Sequence, residues 1–406
     1  MNRVRICTSN KIVDDYGNIY NSIRQLAKAI HSDRNAIAYD LNQYGEYNKG
    51  GISYRLAHGD MIVDTPVEND PPISDKHLTK EELEEQREFE QFKQYKAVKE
   101  LDFEVYDMKP IKGYTAGYRY AVALFSDAHI EESVKPETVN WLNEYNIDIA
   151  ERRIKTYFAN LANCLKQDGV TELIFGSLGD TISGYIHEEL AQTNGLTPIE
   201  ATLKAQSLIY SGLHYLCCEA GIKTLKRIRF VGIVGNHSRT TKKMQHANGR
   251  KMSYEWLMYQ NIKQQCENTK LPIDFYIPDS DVAVVKTVDK RTFLMMHGWQ
   301  IKGGGTNTVC GIYPALNRLS MKYQKIFHQD RIFLGHFHNS VNMPNAVVNG
   351  SVISYSPFSL ANGFEYERPQ QQYIVYDTNI NGELLSRQIY CSEDEHDVDN
   401  PLVMED

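Results

Sequence analysis

Short apolar runs recur along this chain, and each stops at a side chain able to hold a metal ion. They read "YAVALFSD", "ELIFGSLGD", "RIRFVGIVGNH", "TFLMMHG" and "RIFLGHFH". Runs of this length are strand-like. The first several are separated by longer stretches with helical spacing, "WLNEYNIDIAERRIKTYFANLANCLKQ", "ATLKAQSLIYSGLHYLCCEA" and "YEWLMYQNIKQQCEN". Strands alternating with helices make an α/β domain. In such a sheet the strand ends converge on one edge, where crevices form and ligands bind.

The residues delivered to that edge are Asp127, His129, Asp180, Asn236, His237, His297, His336 and His338. Singly, each has an ordinary reading, because histidine often closes a core hydrogen bond and aspartate is common turn chemistry after a strand. Repetition at the end of every run removes that explanation. In "GHFH" the histidines are two apart, and on extended backbone such residues point the same way, so both should face one spot. Carboxylate, imidazole and one amide oxygen, with no thiolate, suit Mn²⁺, Fe²⁺ or Zn²⁺ in an open catalytic site. The set exceeds one tetrahedral centre and suits two divalent ions with one bridging carboxylate.

The chain has 406 residues, 42% hydrophobic and 24% charged, enough for at least one large core. No apolar stretch approaches the roughly 20 residues of a spanning helix, and "MNRVRICTSNK" lacks the apolar run of a secretory signal. A cytoplasmic location without membrane partners is therefore expected. The 7 cysteines include no C-x-x-C pair, which fits free thiols in a reducing compartment. A net charge of −8 argues against a surface coated with phosphate-binding lysines, while leaving room for a local basic face.

Four segments are expected. Residues 1–60 read as a small helix-turn-helix-like DNA-binding module: a hairpin at "KIVDDYGNIY", a helix opened by Ser22 with Gln25, and a second helix through "RNAIAYDLNQ". "GGISYRLA" then returns as a strand. In the second helix Ile37 and Leu41 would face inward, and Arg34, Asn35, Tyr39 and Asn42 outward, where a recognition helix meets a groove. Residues 61–117 combine an acidic, proline-bearing linker with a highly charged helix opened by Thr79 and Glu82. Residues 118–392 hold the apolar runs, and 393–406 form an acidic tail.

The ordered blocks Asp-x-His, Gly-Asp, Gly-Asn-His, His and Gly-His-x-His resemble the signature of the calcineurin-like metallophosphoesterase superfamily, over roughly residues 118–392. That resemblance implies two stacked mixed β-sheets flanked by helices and a pair of divalent ions, Mn²⁺ first, with Fe²⁺, Zn²⁺ or Mg²⁺ as alternatives. It implies that Asp127, His129 and His338 hold one ion, that Asn236, His297 and His336 hold the other, and that Asp180 bridges them. His237 would sit over the scissile phosphate as proton donor or charge stabiliser, and a metal-activated water would attack phosphorus. The family frequently places an acidic residue after Gly-Asn-His, whereas this chain has Ser238 and Arg239. What orients His237 is then open, and Arg239 is a candidate phosphate clamp.

Two further loops border this edge. "TISGYIHEELAQTN" offers Tyr185 and His187 as substrate contacts, and the glycine-rich "HGWQIKGGGTNT" offers Trp299 and Lys302. The latter does not fit P-loop spacing. The N-terminal segment, in "IYNSIRQLAKAI", "RNAIAYDL" and "GGISYRL", resembles the nuclease-associated modular domain. Together with the spacer and the basic loop "SRTTKK", this favours a phage-type or repair-like DNA phosphodiesterase similar to the bacterial SbcD nucleases. Relatives of that kind work with an SMC-like ATPase, which here would be a separate chain. The alternatives are a phosphomonoesterase or small-molecule phosphodiesterase, and a non-catalytic DNA-binding protein.

Overall fold

The structure is a computed structural model that describes residues 12–16, 19–20, 23–32, 36–37, 39–41, 46–50, 52–56, 104–113, 117–301 and 312–392. The chain separates into two compact units, Met1–Thr79 and Lys80–Asp406. The expected charged helix from Thr79 and the acidic tail lie outside the described residues.

In the first unit, β1 (Ile12–Asp14), β2 (Ile19–Tyr20), β3 (Glu46–Lys49) and β4 (Ile52–Leu56) form an antiparallel sheet in the order β2-β1-β4-β3. Helix α1 (Ile23–Ala29) follows β2, and residues 36–37 and 39–41 are also helical. Ile23, Leu26, Ile37 and Leu41 are buried with Ile12, Tyr47 and Tyr54, so Ile37 and Leu41 face inward as their spacing implied. The helices are thus set between two hairpins. The sequence indicated one returning strand, but "EYNK" supplies a partner strand that pairs Glu46 with Arg55 and Lys49 with Ile52.

The second unit holds two mixed six-stranded sheets. Its strands are β5 (Tyr106–Asp107), β6 (Arg119–Phe125), β7 (Glu172–Ser177), β8 (Arg227–Gly232), β9 (Ile273–Tyr276) and β10 (Val282–Lys286). They continue as β11 (Thr292–Met296), β12 (Arg331–Leu334), β13 (Val341–Asn342), β14 (Ala346–Val348), β15 (Gln370–Asp377) and β16 (Gly382–Tyr390). One sheet runs β16-β15-β6-β7-β8-β9, with β6 to β9 parallel. The other runs β13-β14-β12-β11-β10-β5, with β11 and β12 parallel.

Helices α2 (Ile147–Gln167), α3 (Glu188–Thr193), α4 (Pro198–His214), α5 (Tyr254–Asn268), α6 (Tyr313–Phe327) and α7 (Pro357–Ala361) flank these sheets. Their starts follow from capping. Asn146 accepts from the amides of Asp148 and Ile149, so α2 begins at Ile147 although helical spacing extends back to Trp141. Thr197 and Glu200 form a capping box with Pro198 at the first turn of α4, and the Ser253 hydroxyl caps α5.

The central strands of each sheet are buried on both faces, which is why the runs are continuously apolar instead of alternating. Val122, Leu124, Ile174 and Val231 of one sheet meet Val285, Phe293, Met295 and Phe333 of the other. The opposite face of the first sheet, with Ala123, Phe125, Phe175 and Phe230, packs on α2, α4 and α5 through Tyr157, Ile209 and Tyr259. α6 covers the second sheet through Leu316. Truncating a fully buried member of the inter-sheet layer such as Phe333 to alanine would cost about 3–5 kcal/mol. This packing fixes the strand ends, and therefore the site. No helix of the described residues is long and apolar enough to cross a membrane.

Candidate metal centre

Every ligand-type residue sits just past the C-terminal end of a strand, and both sheets contribute. Asp127 and His129 follow β6, Asp180 follows β7, and Asn236 with His237 follow β8; His297 follows β11, and His336 and His338 follow β12. Asp127, His129, Asp180, His336 and His338 all adopt left-handed backbone, with φ of 54, 46, 51, 76 and 58°. Aspartate and histidine tolerate this region better than most residues, yet each instance costs of order 1–3 kcal/mol, and such strain concentrates at functional sites.

The left-handed residues also correct the reading of "GHFH". β12 ends at Leu334, so His336 and His338 are not on extended backbone and do not face a single spot. Their ring nitrogens fall into two separate trios, Asp127 with His129 and His338, and Asp180 with His297 and His336. Within each trio the ligand atoms lie within 4.8 Å of one another.

Glycines let the loops approach. A Cβ at Gly335 would lie 2.7 Å from the Asp127 carboxylate and 2.8 Å from the Ser126 hydroxyl. Gly179 has φ +92° and lies against the backbone of Gly235, where any side chain would run into the Asp180 carboxylate.

In the first trio, His129 Nε2 and His338 Nε2 face one another at 3.2 Å, and His338 Nε2 lies 3.5 Å from Asp127 Oδ1. Asp127 also accepts the His336 amide at 3.0 Å and the Ser126 hydroxyl at 2.5 Å. Behind it, Asn349 donates to Ser126 at 2.8 Å and to Gln371 at 2.6 Å, all fully buried. His129 Nδ1 contacts the Ser183 hydroxyl at 2.9 Å, which donates on to Glu132 at 3.0 Å.

In the second trio, His297 Nε2 lies 2.8 Å from Asp180 Oδ2 and 3.1 Å from the amide oxygen of Asn236. His297 Nδ1 donates to the Leu178 carbonyl at 2.6 Å, and Asp180 Oδ1 accepts the His237 amide at 2.8 Å. The rings of His297 and His336 pack edge to face, 5.0 Å between centroids.

Burial, with neighbouring imidazoles, holds His129 well below the usual histidine range and lowers His336 to about 3 and His338 to about 4. Burial lowers His237 too, against the pull of Asp180. Neutral imidazole is the metal-binding form. Burial also disfavours charge on His297, but Asp180 and Asp127 outweigh it and raise that imidazole to about 9. Burial and the Asp180 charge push Asp127 up to about 7, although His297 opposes them. Asp180 stays well below the usual carboxylate range, because His297 and His237 overcome its burial.

What orients His237 is a carbonyl instead of a carboxylate. Its Nδ1 lies 3.1 Å from Ser183 O, which can only accept, so the proton is on Nδ1 and Nε2 carries the lone pair. Ser238, where an acid was expected by resemblance, donates to Glu255 at 2.8 Å. Glu255 is buried at the first turn of α5 and also accepts the amides of Thr181 at 2.6 Å and Gly235 at 2.7 Å. It therefore fastens the Asp180 loop to the Asn236 loop. Glu131, also buried, accepts the amides of Ser183 at 2.8 Å and Gly184 at 2.7 Å. Ser126, Ser183, Glu131, Glu132, Glu255, Asn349 and Gln371 escaped sequence reasoning, since none belongs to a spaced motif.

The other expected contacts are placed as follows. His187 is exposed with its ring 5.8 Å from that of His237, and Tyr185 is exposed. Arg239 donates to the carbonyls of Asn236 at 2.6 Å and Thr241 at 3.1 Å, so it closes its own loop. Trp299 stacks on His246 at 5.5 Å. Tyr39 is exposed, while Arg34, Asn35, Asn42 and Lys302 lie outside the described residues.

No protein-family model and no curated protein matches this chain. Among solved structures, one similar chain is a Staphylococcus aureus protein described as a 5′-nucleotidase, at 11% identity and TM-score 0.28. The match covers 68% of this chain and spans only 55% of that one. TT1561 of Thermus thermophilus matches at 8% identity over 68% of this chain and 100% of its own, with TM-score 0.30. The calcineurin-like phosphoesterase YfkN from Bacillus subtilis matches at 9% over 68% and 92%, with TM-score 0.27. Scores of this size carry no conclusion about the chemistry of this chain.

The donor set itself fits a pair of divalent cations. Each trio brings a carboxylate and two imidazole nitrogens within 4.8 Å of one another, and the two imidazoles of the first trio are held in the neutral, metal-binding form.

Proposed function

We propose that this chain is a dinuclear-metal phosphodiesterase that hydrolyses DNA. The observation that supports the reading most is the pair of mixed carboxylate and imidazole trios at the joined ends of two sheets. Asp127, His129 and His338 would hold one ion; Asn236, His297 and His336 would hold the other, with Asp180 serving both. When bound, two such ions acidify a water and neutralise phosphoryl oxygens.

The chain's own residues supply the remainder. Asp180 is fixed by the His237 amide, and His237 is fixed by Ser183, with its free Nε2 as the proton-exchanging atom toward the attacking or leaving oxygen. Burial on the rigid sheet ends keeps the ligands in place before substrate arrives. The preference for DNA draws on the likeness of the N-terminal segment to a nuclease-attached DNA reader and on the exposed Lys242 and Lys243 next to the Asn236 loop.

Purified protein with Mn²⁺ should cleave labelled single- or double-stranded DNA and a chromogenic phosphodiester faster than a phosphomonoester. Rapid monoester turnover with intact DNA would replace the DNA reading with a phosphomonoesterase. Bound metal with no turnover of any ester would leave a non-catalytic binding protein.

A further inference from the structure

Beyond the metal ligands, the loop that starts at His237 encloses a second feature. Residues 238–254 are pinched shut at their base, where the Tyr254 amide donates to Ser238 O at 2.9 Å and the Thr240 amide to Met252 O at 2.8 Å. The distal part of this loop, together with Asp279, Ser280 and Asp281, borders a cavity of about 220 Å³. Strand register places the cavity beside the metal edge. β10 and β11 pair Val282 with Met296, so Asp281, which precedes β10, and His297, which follows β11, lie at the same end of the two strands.

The walls are built from defined chemistry. Arg250 is nearly buried and braces one side, donating to Asp279 at 3.0 Å and to Ser280 O at 3.2 Å. Asp281 is half-buried and, among the described residues, accepts no hydrogen bond; burial pushes its carboxyl up, with Arg250 and His246 pulling it back. His246 from this loop lies on the indole of Trp299, two residues beyond His297, at 5.5 Å and 26° between planes.

These walls select against either ionic class. Asp279 and Asp281 repel a phosphate, while Arg250 and Lys251 repel a metal or an amine. A neutral planar group with N–H donors satisfies both sides. At about 220 Å³ the cavity is somewhat larger than the roughly 150 Å³ that takes up benzene, so it admits one ring system and excludes a stacked duplex.

We propose that this cavity is a base-recognition subsite, in which an unpaired nucleobase next to the scissile phosphate takes the place of His246 on Trp299 and donates an N–H to Asp281. The proposal rests on the phosphoesterase reading above and narrows its substrate to a base splayed out of a duplex or already single-stranded.

The test compares two chromogenic diesters on the Mn²⁺-loaded protein: thymidine 5′-(p-nitrophenyl phosphate), and the same ester with hydrogen in place of the base. The wild-type chain should favour the base-bearing ester in kcat/KM by between about 5-fold and about 100-fold, the range that stacking on an aromatic residue provides. Trp299→Ala should collapse that ratio toward unity, mostly through KM. Trp299→Tyr should restore most of it, and Asp281→Asn should reduce it by a smaller factor. Equal treatment of the two esters by the wild type, or a ratio that survives Trp299→Ala, would overturn the subsite while leaving the phosphoesterase intact. If neither ester is cleaved, the phosphoesterase reading itself fails. Saturable quenching of tryptophan fluorescence by thymidine, lost in Trp299→Ala, would then support the cavity as a base site, and its absence would remove that too.

Discussion

Alongside the His336 amide on Asp127, the first trio is steered by other side chains, whereas the second is steered by backbone. Asp127 is set by Ser126, with Asn349 and Gln371 behind it, and His129 by Ser183 with Glu132 behind it. His297 is set by the Leu178 carbonyl and Asp180 by the His237 amide. Outer-shell partners fix the tautomer and direction of ligands, and losing one typically costs 10–100-fold in metal affinity or activity. A backbone partner cannot be removed by substitution, so the two halves of the site should differ in mutational sensitivity.

The largest effect should come where the difference vanishes. Asp180→Ala removes the carboxylate assigned to both ions, so phosphodiesterase activity should fall by well over the roughly 100-fold upper value for an outer-shell loss. Steady-state kinetics at saturating Mn²⁺ measures it, and a variant within tenfold of wild type would deny Asp180 its shared role. Glu255→Ala should act next, on stability. It strands the buried amides of Thr181 and Gly235, at about 1–3 kcal/mol each, so urea denaturation should show a loss of roughly 2–6 kcal/mol.

Ser183→Ala sharpens the contrast most. It deletes the hydroxyl that steers His129 but keeps the carbonyl that steers His237. Calorimetric titration with Mn²⁺ should show one of two binding steps weakened 10–100-fold and the other unmoved. Equal weakening of both would erase the distinction between the trios.

The smallest effect concerns protons. His297 is raised from 6.5 to about 9 and Asp127 from 3.8 to about 7. The metal-free folded chain therefore holds more protons on these two groups than the unfolded chain does. Their contribution to stability is complete below the unfolded values and is lost as pH rises through about 7 for Asp127 and about 9 for His297. In chelator, Tm should fall between about pH 7 and 9, above the range in which the depressed His129, His237, His336 and His338 titrate in the unfolded chain, and the rise in Tm on adding Mn²⁺ should grow over the same window, because cations displace those protons. A metal effect that shrinks with rising pH would contradict the assignment.

The apolar runs and their terminal ligands were legible because burial on both faces forces continuous hydrophobicity, and α5 fell on the residues its spacing marks. The division of "GHFH" between trios left no trace in periodicity, since His336 and His338 take left-handed φ, and it came instead from the resemblance of the ordered blocks to a known signature. Glu255 was hidden by its ordinary appearance: an acid in the first turn of a helix is common dipole chemistry, and only the tertiary fold brings two ligand loops to it. Ser183 escaped for a similar reason, as a serine after a turn has no spacing that announces two histidine partners. In the N-terminal unit the pairing of "EYNK" with β4 overrode a weak strand signal, because a returning strand with an open edge gains from a partner.

Anomalous diffraction from crystals grown with Mn²⁺ is the most direct measurement of the whole account. Two peaks are expected, one touching Asp127, His129 and His338, the other touching Asn236, His297 and His336, with Asp180 in contact with both. A single peak, or none within reach of Asp180, would contradict it.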